Sequence, residues 1–333
     1  MKPRLLGLRG APVESYFVKA NSPDATRALW LRTTVFRQPG VPVVADAWAI
    51  AFDRHRGHVA IKSTVPFPQA RFAKNDFDVE VDGCALSLTR AKGSLASGRG
   101  ALAWALDFGP PLAPEIVHLP SSLMYRDASP NAKLVTPLSD ARARGTVRIE
   151  RGAGDIDTWN VEGWPMMAGH NWGRANAELY AWSHCNLWEI DGAPASGLVL
   201  EALSARVRMG PVLSPMMTML FLRWRGKCWD LSGPRALGKN RGHLSLRRWE
   251  VTSQLGGPNG LELACDIAAE TDDVVGLHYP NPTGPMTYCF NTKLARARLD
   301  LRLPDGTAFT ATSRAAALEI GTLEPDHSIR MVL

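Results

Sequence analysis

The stretch of sequence that decides the fold reads GWPMMAGHNWGR over residues 163–174 and YAWSHCNLWE over residues 180–189. Successive side chains of a β-strand point to opposite faces of the sheet. In the second segment this alternation separates large side chains with polar tips from small ones. The large face comprises Tyr180, Trp182, His184, Asn186 and Trp188, and the small face comprises Ala181, Ser183, Cys185 and Leu187. We predict that residues 163–189 form a polar, aromatic-lined β-ribbon.

The two faces favour different surroundings. The small face suits tight packing against protein, whereas the large face suits the lumen of a barrel that holds a ligand. Trp and Tyr would supply apolar walls, and His and Asn would supply a few placed hydrogen-bonding groups. A filled core, in which the polar atoms bond the neighbouring backbone, fits the alternation equally well. For His170 and Asn171 a β-turn is the simple alternative.

The rest of the chain also predicts strands. Short segments rich in Val, Leu, Trp, Thr and Phe recur between clusters of Gly, Pro, Asn and Asp, and helical signals are scarce. This spacing is typical of antiparallel barrels and sandwiches. The dipeptides Asp82-Gly83, Asp191-Gly192 and Asp305-Gly306 suit hairpin turns that need positive φ. We therefore predict an all-β fold, and a chain of 333 residues is long enough for two lobes.

Two proline-containing segments interrupt the predicted strands. Gly109–Asp140 is expected to be a long irregular excursion with one helical turn around Ser121–Tyr125, and loops of this length often form lids or rims of binding sites. The stretch Gly210–Pro215 is the predicted lobe boundary. It divides the chain into an N-terminal domain, residues 1–209, and a C-terminal domain, residues 210–333.

Composition and motifs exclude several classes of protein. Five cysteines are scattered without a CxxC pair, which argues against a disulfide framework or zinc knuckle and favours a reducing cytoplasm. The net charge is +6, but the arginines are spread along the chain, so we expect no nucleic-acid partner. No export signal is read in residues 1–10. No metal site, nucleotide cofactor or serine hydrolase is expected, because the corresponding motifs are missing.

Three ordered blocks resemble one family. His170-Asn171-Trp172-Gly173, followed by Tyr180-x-Trp182-x-His184-Cys185-Asn186-Leu187-Trp188-Glu189, resembles the Asn-Trp-Gly…Trp-x-Trp-x-Gln-Cys-Asn-x-Phe-Glu signature of the tocopherol cyclase family. The hydroxyneurosporene synthase (carotenoid hydratase) group carries a similar His-Asn-Trp-Gly. Residues 14–19, ESYFVK, are similar to that family's opening Glu-Gly-Trp-Tyr-Phe-Lys, and residues 295–321 resemble its final strand pair.

The resemblance implies two lipocalin-like (calycin) antiparallel barrels packed together, with a hydrophobic cavity at or near their junction. It further implies cyclisation, hydration or isomerisation of polyprenyl or polyene substrates, commonly without an organic cofactor. Such chemistry needs an acid that protonates an alkene or carbonyl, and a dry cavity that positions the substrate.

The sequence departs from the family pattern where an acid is expected. Tocopherol cyclases usually have Glu-Lys before Asn-Trp-Gly, whereas this chain has Gly169 and His170. His184 also replaces a Gln, and histidine suits proton shuttling at a carbonyl or enol better than protonation of an isolated alkene. The carboxylate candidates outside the motif are Glu14, Asp46 and Glu201.

We predict a cofactor-independent cyclase, hydratase or isomerase that acts on a small hydrophobic isoprenoid, polyene or polyketide-like substrate. The candidate catalytic residues are His170, His184 and Glu201, and the candidate binding residues are Tyr16, Asn171, Trp172, Tyr180, Trp182, Asn186 and Trp188. Peripheral contact with a membrane is a further prediction, because a hydrophobic substrate needs a route of access. Two alternatives stay open, a non-catalytic carrier of a lipid or pigment and a catalytically degenerate family member.

Overall fold

The structure is a computed structural model that describes residues 6–98, 100–125, 132–152, 154–206, 208–209, 212–255 and 260–333, with only the backbone described for residues 208, 209 and 212. Within these residues the chain is almost all β. The chain forms two compact units. Unit 1 is residues 1–176 with 280–286 and 332–333, and unit 2 is residues 177–279 with 287–331.

The described residues of unit 1 form twelve strands in one antiparallel sheet. The strands are β1 (Val13–Asn21), β2 (Arg27–Phe36), β3 (Val44–Asp53), β4 (Val59–Pro66), β5 (Arg71–Phe72), β6 (Asp78–Val81), β7 (Cys84–Ser87), β8 (Arg90–Ser97), β9 (Gly100–Phe108), β10 (Ile116–Val117), β11 (Ala132–Glu150) and β12 (Ile156–Gly173). Their order is β4-β3-β2-β1-β12-β11-β9-β8-β7-β6-β5, with β10 beside β11. Short 3-10 turns cover Phe67–Gln69 and Ser122–Tyr125.

Unit 2 contains a second sheet of twelve strands and a small two-stranded one. The strands are β13 (Leu179–Cys185), β14 (Glu189–Ile190), β15 (Ala193–Pro194), β16 (Val199–Arg206), β17 (Arg208–Met209), β18 (Val212–Leu213), β19 (Met217–Trp224), β20 (Lys227–Leu231), β21 (Arg241–Ser245), β22 (Arg248–Leu255), β23 (Leu261–Ala268), β24 (Val275–Tyr279), β25 (Thr287–Arg302) and β26 (Ala308–Thr322). Helix α1 (Pro234–Leu237) and a 3-10 turn at Thr271–Asp273 complete the unit. The main order is β20-β19-β16-β13-β26-β25-β23-β22-β21.

The two units repeat one plan although their sequences show no repeat. In each, the first strand pairs with the last strand of a long, bulged hairpin, as β1 with β12 and β13 with β26. The next long strand, β2 or β16, pairs with the other edge of that first strand. The first strand therefore lies in the middle of each sheet, where both of its edges are hydrogen-bonded.

The predicted all-β fold is confirmed, and so are two of its turns. Asp82-Gly83 and Asp191-Gly192 have positive φ at both residues, as a two-residue hairpin turn of type I′ requires. The helical turn expected around Ser121–Tyr125 is present as a 3-10 turn at Ser122–Tyr125. The irregular excursion is shorter than predicted, because β11 already begins at Ala132; residues 126–131 lie outside the described part of the chain.

The predicted ribbon over residues 163–189 is wrong as a single element. Residues 156–173 and 179–185 do form strands, but β12 pairs with β1 and β11, while β13 pairs with β16 and β26. The units divide between Asn176 and Ala177 rather than at the predicted boundary between residues 209 and 210, because β13 and β16 belong to the second sheet. Gly210 itself lies outside the described residues.

Each unit has its own apolar core. The unit 1 core includes Tyr16, Trp104, Trp159, Met166 and Ala168, and the unit 2 core includes Ala181, Cys185, Trp188, Trp249 and Leu318. Among the described residues, no helix is long and apolar enough to cross a membrane.

Candidate functional site

His170 lies on the inner face of unit 1. Met166 and Ala168, which share its side of β12 by strand alternation, belong to the unit 1 core, and His170 is fully buried. The antiparallel pairing of β1 with β12 places Tyr16 opposite His170 and Glu14 opposite Trp172. The register therefore brings a carboxylate from the N-terminal strand beside the His-Asn-Trp-Gly segment.

The Glu14 carboxylate is the centre of this cluster. His170 Nε2 lies 3.1 Å from Glu14 Oε1, and the Tyr16 hydroxyl donates a hydrogen bond of 3.0 Å to the same oxygen. The backbone N–H of Arg9 donates to Oε1 at 2.7 Å, and that of Gly10 donates to Oε2 at 3.1 Å. Both oxygens of this fully buried carboxylate therefore accept hydrogen bonds. Glu14, one of the three carboxylate candidates, thus lies beside His170, whereas residue 169 of the motif is a glycine.

Aromatic rings flank the histidine. The rings of Tyr16 and His170 are stacked with centroids 4.2 Å apart, and those of His170 and Trp172 with centroids 4.7 Å apart. The Arg9 guanidinium lies 5.6 Å from the centre of the Trp172 ring. Burial, together with the Glu14 carboxylate, raises the pKa of Tyr16 well above its usual value near 10, so its hydroxyl stays protonated and serves as a hydrogen-bond donor to Glu14.

The excursion after β9 packs against this cluster. Tyr125, at the end of the 3-10 turn, lies 5.8 Å from Trp172 between ring centroids. Its hydroxyl donates to the backbone oxygen of Leu134 and accepts from the backbone N–H of Leu119, both at 2.9 Å. Trp172, Tyr125 and Val135 form a small separate apolar cluster. The excursion therefore lies beside a predicted site residue, as a rim would.

A second group of predicted residues lies in unit 2. Trp182 Nε1 donates a hydrogen bond of 2.8 Å to Glu201 Oε1, and His184 is directly opposite Glu201 in the pairing of β13 with β16. His184 and Glu201 are fully buried, whereas Tyr180 is partly exposed. The structure places Tyr180, Trp182 and His184 on one face of the sheet and brings Glu201 to the same face from the neighbouring strand.

The large face was predicted to line the lumen of a barrel, and the structure places it on the other side of the sheet. Ala181 and Cys185, from the small face, belong to the unit 2 core, whereas Tyr180, Trp182 and His184 point to the opposite side of the sheet. The small face packs against protein as expected. The large face does not line the interior of the unit 2 sheet, because that interior is filled by the core.

Trp188 does not extend this face. Strand β13 ends at Cys185, so strict alternation stops there. Trp188 instead packs in the unit 2 core and donates its Nε1 hydrogen to the backbone oxygen of Cys185 at 3.1 Å. Asn186 is buried just beyond the end of the strand.

Two other candidates lie away from the clusters. Asn171 is on the face of β12 opposite to His170, where it pairs with Ser15. Asp46 accepts a hydrogen bond from the Thr64 hydroxyl at 2.6 Å and forms an ion pair of 3.3 Å with Lys62. Its carboxylate is therefore already engaged on the neighbouring strand.

Sequence reasoning missed a buried ion pair beside Trp182. Lys293 Nζ donates to Glu319 Oε1 at 2.8 Å and to Asn291 Oδ1 at 2.6 Å, and Asn291 Nδ2 donates to Glu319 Oε1 at 3.2 Å. The Lys293 ammonium lies 5.6 Å from the centre of the Trp182 ring. The sequence signal for this pair was Asn291 and Lys293, two apart in a predicted strand, together with Glu319 in an Ala- and Leu-rich strand.

The Cys289 thiol and the Tyr180 hydroxyl near this pair are held in the neutral form. Burial, followed by the Glu319 carboxylate, raises the pKa of the Cys289 thiol to about 12. The residue Tyr180 is partly exposed, but its hydroxyl end is buried, and this burial raises its pKa well above the usual value. Neither group is an anionic nucleophile near neutral pH. Among the described residues, no group of three His, Cys, Asp or Glu side chains could hold a metal ion.

The fold and these clusters define a class: an all-β protein of curled antiparallel sheets with ionisable and aromatic side chains buried together. The family model described as tocopherol cyclase-like matches residues 129–322. The chain belongs to the tocopherol cyclase-like family, which confirms the resemblance carried by residues 170–189. Glu14 lies outside the matched span.

Relatives and solved structures cover most of the chain. An uncharacterized protein of Mycobacterium tuberculosis, Rv0493c, is 27% identical over 304 residues, which are 90% of this chain and 84% of the relative. The crystal structure of an AttH protein from Nitrosomonas europaea matches with a TM-score of 0.58 and 14% identity, over 97% of this chain and 96% of the other.

Two further solved structures share the fold at low sequence identity. Kievitone hydratase from Nectria haematococca matches with a TM-score of 0.52 and 9% identity, over 95% of this chain and 94% of the other. The protein CghA matches with a TM-score of 0.55 and 11% identity, over 98% of this chain and 97% of the other. The lipocalin-like fold is therefore shared, which confirms the predicted fold class.

Proposed function

We propose that this chain is a cofactor-independent cyclase, hydratase or isomerase that acts on a hydrophobic isoprenoid, polyene or polyketide-like substrate. Membership of the tocopherol cyclase-like family supports an enzyme of this type, and the fold shared with a hydratase agrees with it. The observation that carries the proposal is the contact of His170 with Glu14 inside unit 1, among Tyr16 and Trp172.

In this proposal His170 transfers the proton and Glu14 positions it. A carboxylate with two backbone N–H donors is held in place as an acceptor, so it orients the imidazole through the contact at Nε2. A proton taken from one substrate carbon and returned to another, or to the oxygen of a carbonyl, needs no oxidant or reductant. Imidazole suits this exchange at a carbonyl or enol better than protonation of an isolated alkene.

His184 and Glu201 are the second proposed acid–base pair. They pair directly across β13 and β16, and the neutral indole of Trp182 donates to Glu201. Glu201 is fully buried, as is Glu14. It is the second candidate for an acid that protonates an alkene.

The test compares turnover by variants at each pair. Wild type, His170→Gln, Glu14→Gln, His184→Gln and Glu201→Gln are incubated with candidate polyenes and enones, and products are quantified by mass spectrometry. Loss of a general acid–base group lowers kcat by about 10²- to 10⁴-fold. Loss of the positioning hydrogen bond in Glu14→Gln costs about ten-fold.

Exposed residues provide matched controls. His55→Gln and Glu80→Gln remove the same groups from the surface of unit 1 and should leave turnover unchanged. Unchanged turnover in His170→Gln would remove that residue from the mechanism, and the loss in His184→Gln or Glu201→Gln would then identify the other pair. Tight binding without turnover in wild type and all variants would support the alternative, a non-catalytic carrier.

A further inference from the structure

The face of unit 2 that carries Trp182 changes from apolar to charged along one row of paired residues. Across neighbouring strands Met219 pairs with Leu203, Leu203 with Trp182, and Trp182 with Glu319. Directly paired residues share a face of the sheet and lie about 5 Å apart. Asn291 continues the row beyond Glu319.

The apolar end of this row is accessible. Met219 and Leu203 are partly exposed, as are Met217, Ala205 and Tyr180 in the adjacent row. Met side chains are flexible and polarisable and adapt to ligands of varied shape. This end of the face is therefore suited to a hydrocarbon chain or ring.

The charged end presents one carboxylate. The Lys293 side chain is wholly buried, whereas 12% of the Glu319 side chain is exposed. Lys293 and Asn291 both donate to Oε1, while Oε2 has the Cys289 thiol at 4.0 Å. The carboxylate is held by the Lys293 ammonium and the Asn291 amide, and a carboxylate paired with an ammonium accepts hydrogen bonds.

A buried ion pair is not explained by stability alone. Removing two charges from water is costly, and well-packed apolar residues of similar volume are often at least as stable. A pair placed beside a partly exposed apolar row therefore points to recognition, because it supplies a fixed acceptor at the end of an apolar surface.

We propose that this face binds a hydrophobic ligand through a hydroxyl group, which donates to Glu319 while the hydrocarbon part lies on Leu203, Met217 and Met219. Lys293 and Asn291 are positioning residues that hold the carboxylate. The inference takes from the proposed function only that the ligand is hydrophobic, and it adds the polar group by which the ligand is recognised.

The test measures binding without turnover. The full-length protein is titrated by calorimetry with 4-hexylphenol and with its methyl ether, 4-hexylanisole, which has the same apolar part but no hydroxyl donor. We expect the phenol to bind about ten-fold more tightly than the ether, as a charge-assisted hydrogen bond contributes. In Glu319→Gln the ratio should fall to about two-fold, because the acceptor is no longer charged.

Two variants make the result decisive. Glu250→Gln removes an exposed carboxylate of the same unit, which is paired with Arg248, and should leave the ratio unchanged. Met219→Gln changes a partly exposed residue and should weaken both ligands together by about five-fold. It also keeps the proposal testable if Glu319→Gln does not fold, as circular dichroism would reveal.

Equal affinity for the two ligands in wild type, or no binding of either, would overturn the proposal. An unchanged ratio in folded Glu319→Gln, or unchanged affinities in Met219→Gln, would do so too. Because no turnover is measured, such a result leaves the roles of His170 and Glu14 untouched, and a failure of those roles leaves this site untouched.

Discussion

Gly169→Ala should destabilise the protein because Phe17 occupies the space beside residue 169. The two residues pair directly between β1 and β12, on the face opposite to His170. A Cβ at residue 169 would lie 2.3 Å from Phe17 Cζ and 2.7 Å from Cε2. Carbon atoms normally approach to about 3.5–4.0 Å. The ring must therefore move by about 1 Å, although Phe17 is itself buried.

The expected cost is about 2 kcal/mol, within the usual range for an overpacked core. In a unit of this size it should lower Tm by about 4–8 °C, followed by circular dichroism. A double-mutant cycle tests the cause. Phe17→Leu shortens the ring side chain, so the two substitutions together should cost at least about 1 kcal/mol less than their sum. A Gly169→Ala variant as stable as wild type, or strictly additive effects, would refute the steric reasoning.

Three further predictions concern the cysteines, the unit 2 core and the rim. Iodoacetamide at pH 8 should add one group to the native protein, at exposed Cys228. The other cysteines are buried, and burial raises the pKa of Cys84 to about 11 and of Cys289 to about 12. Additional adducts counted by mass spectrometry would contradict this. Trp188→Ala should cost about 3–5 kcal/mol in chemical denaturation because it removes a fully buried indole, and a cost below about 1 kcal/mol would exclude a core position. Tyr125→Phe should cost about 1–3 kcal/mol, because it leaves two backbone groups without the hydroxyl, and increased proteolysis of the excursion would report it.

Local signals predicted the fold class well. Strand segments and Asp-Gly turns depend on neighbouring residues, so the sequence alone predicted the turns at Asp82-Gly83 and Asp191-Gly192 correctly. Pairing was harder to predict. Strands β12 and β13 are separated by only a few residues, yet each pairs with strands that are distant in sequence. A short connection suggested a hairpin, and no local pattern shows that the connection crosses between two sheets.

The sequence named the candidate residues, but it did not predict which of them lie together. Glu14 was one of three candidate carboxylates, and only the register of β1 on β12 distinguishes it from Asp46 by placing it beside His170. An acid at residue 169, the position of the acid in the family, could not lie beside His170. An acid there would project toward Phe17, on the opposite face from His170.

Side chains from strands distant in sequence determine which face of β13 packs in the unit 2 core. The unit 2 core contains large residues such as Trp249 and Ile267, and small ones such as Ala181 and Ala202. Packing is so close that a Cβ on Gly242 would lie 2.3 Å from Ser204 Oγ and 3.1 Å from Trp249 Nε1. An interior filled in this way accepts the small face of β13. The large face must then lie outside this core, so a ligand of unit 2 is to be sought beside Trp182 and Glu319, whereas in unit 1 the His170 cluster lies on the core side of its sheet.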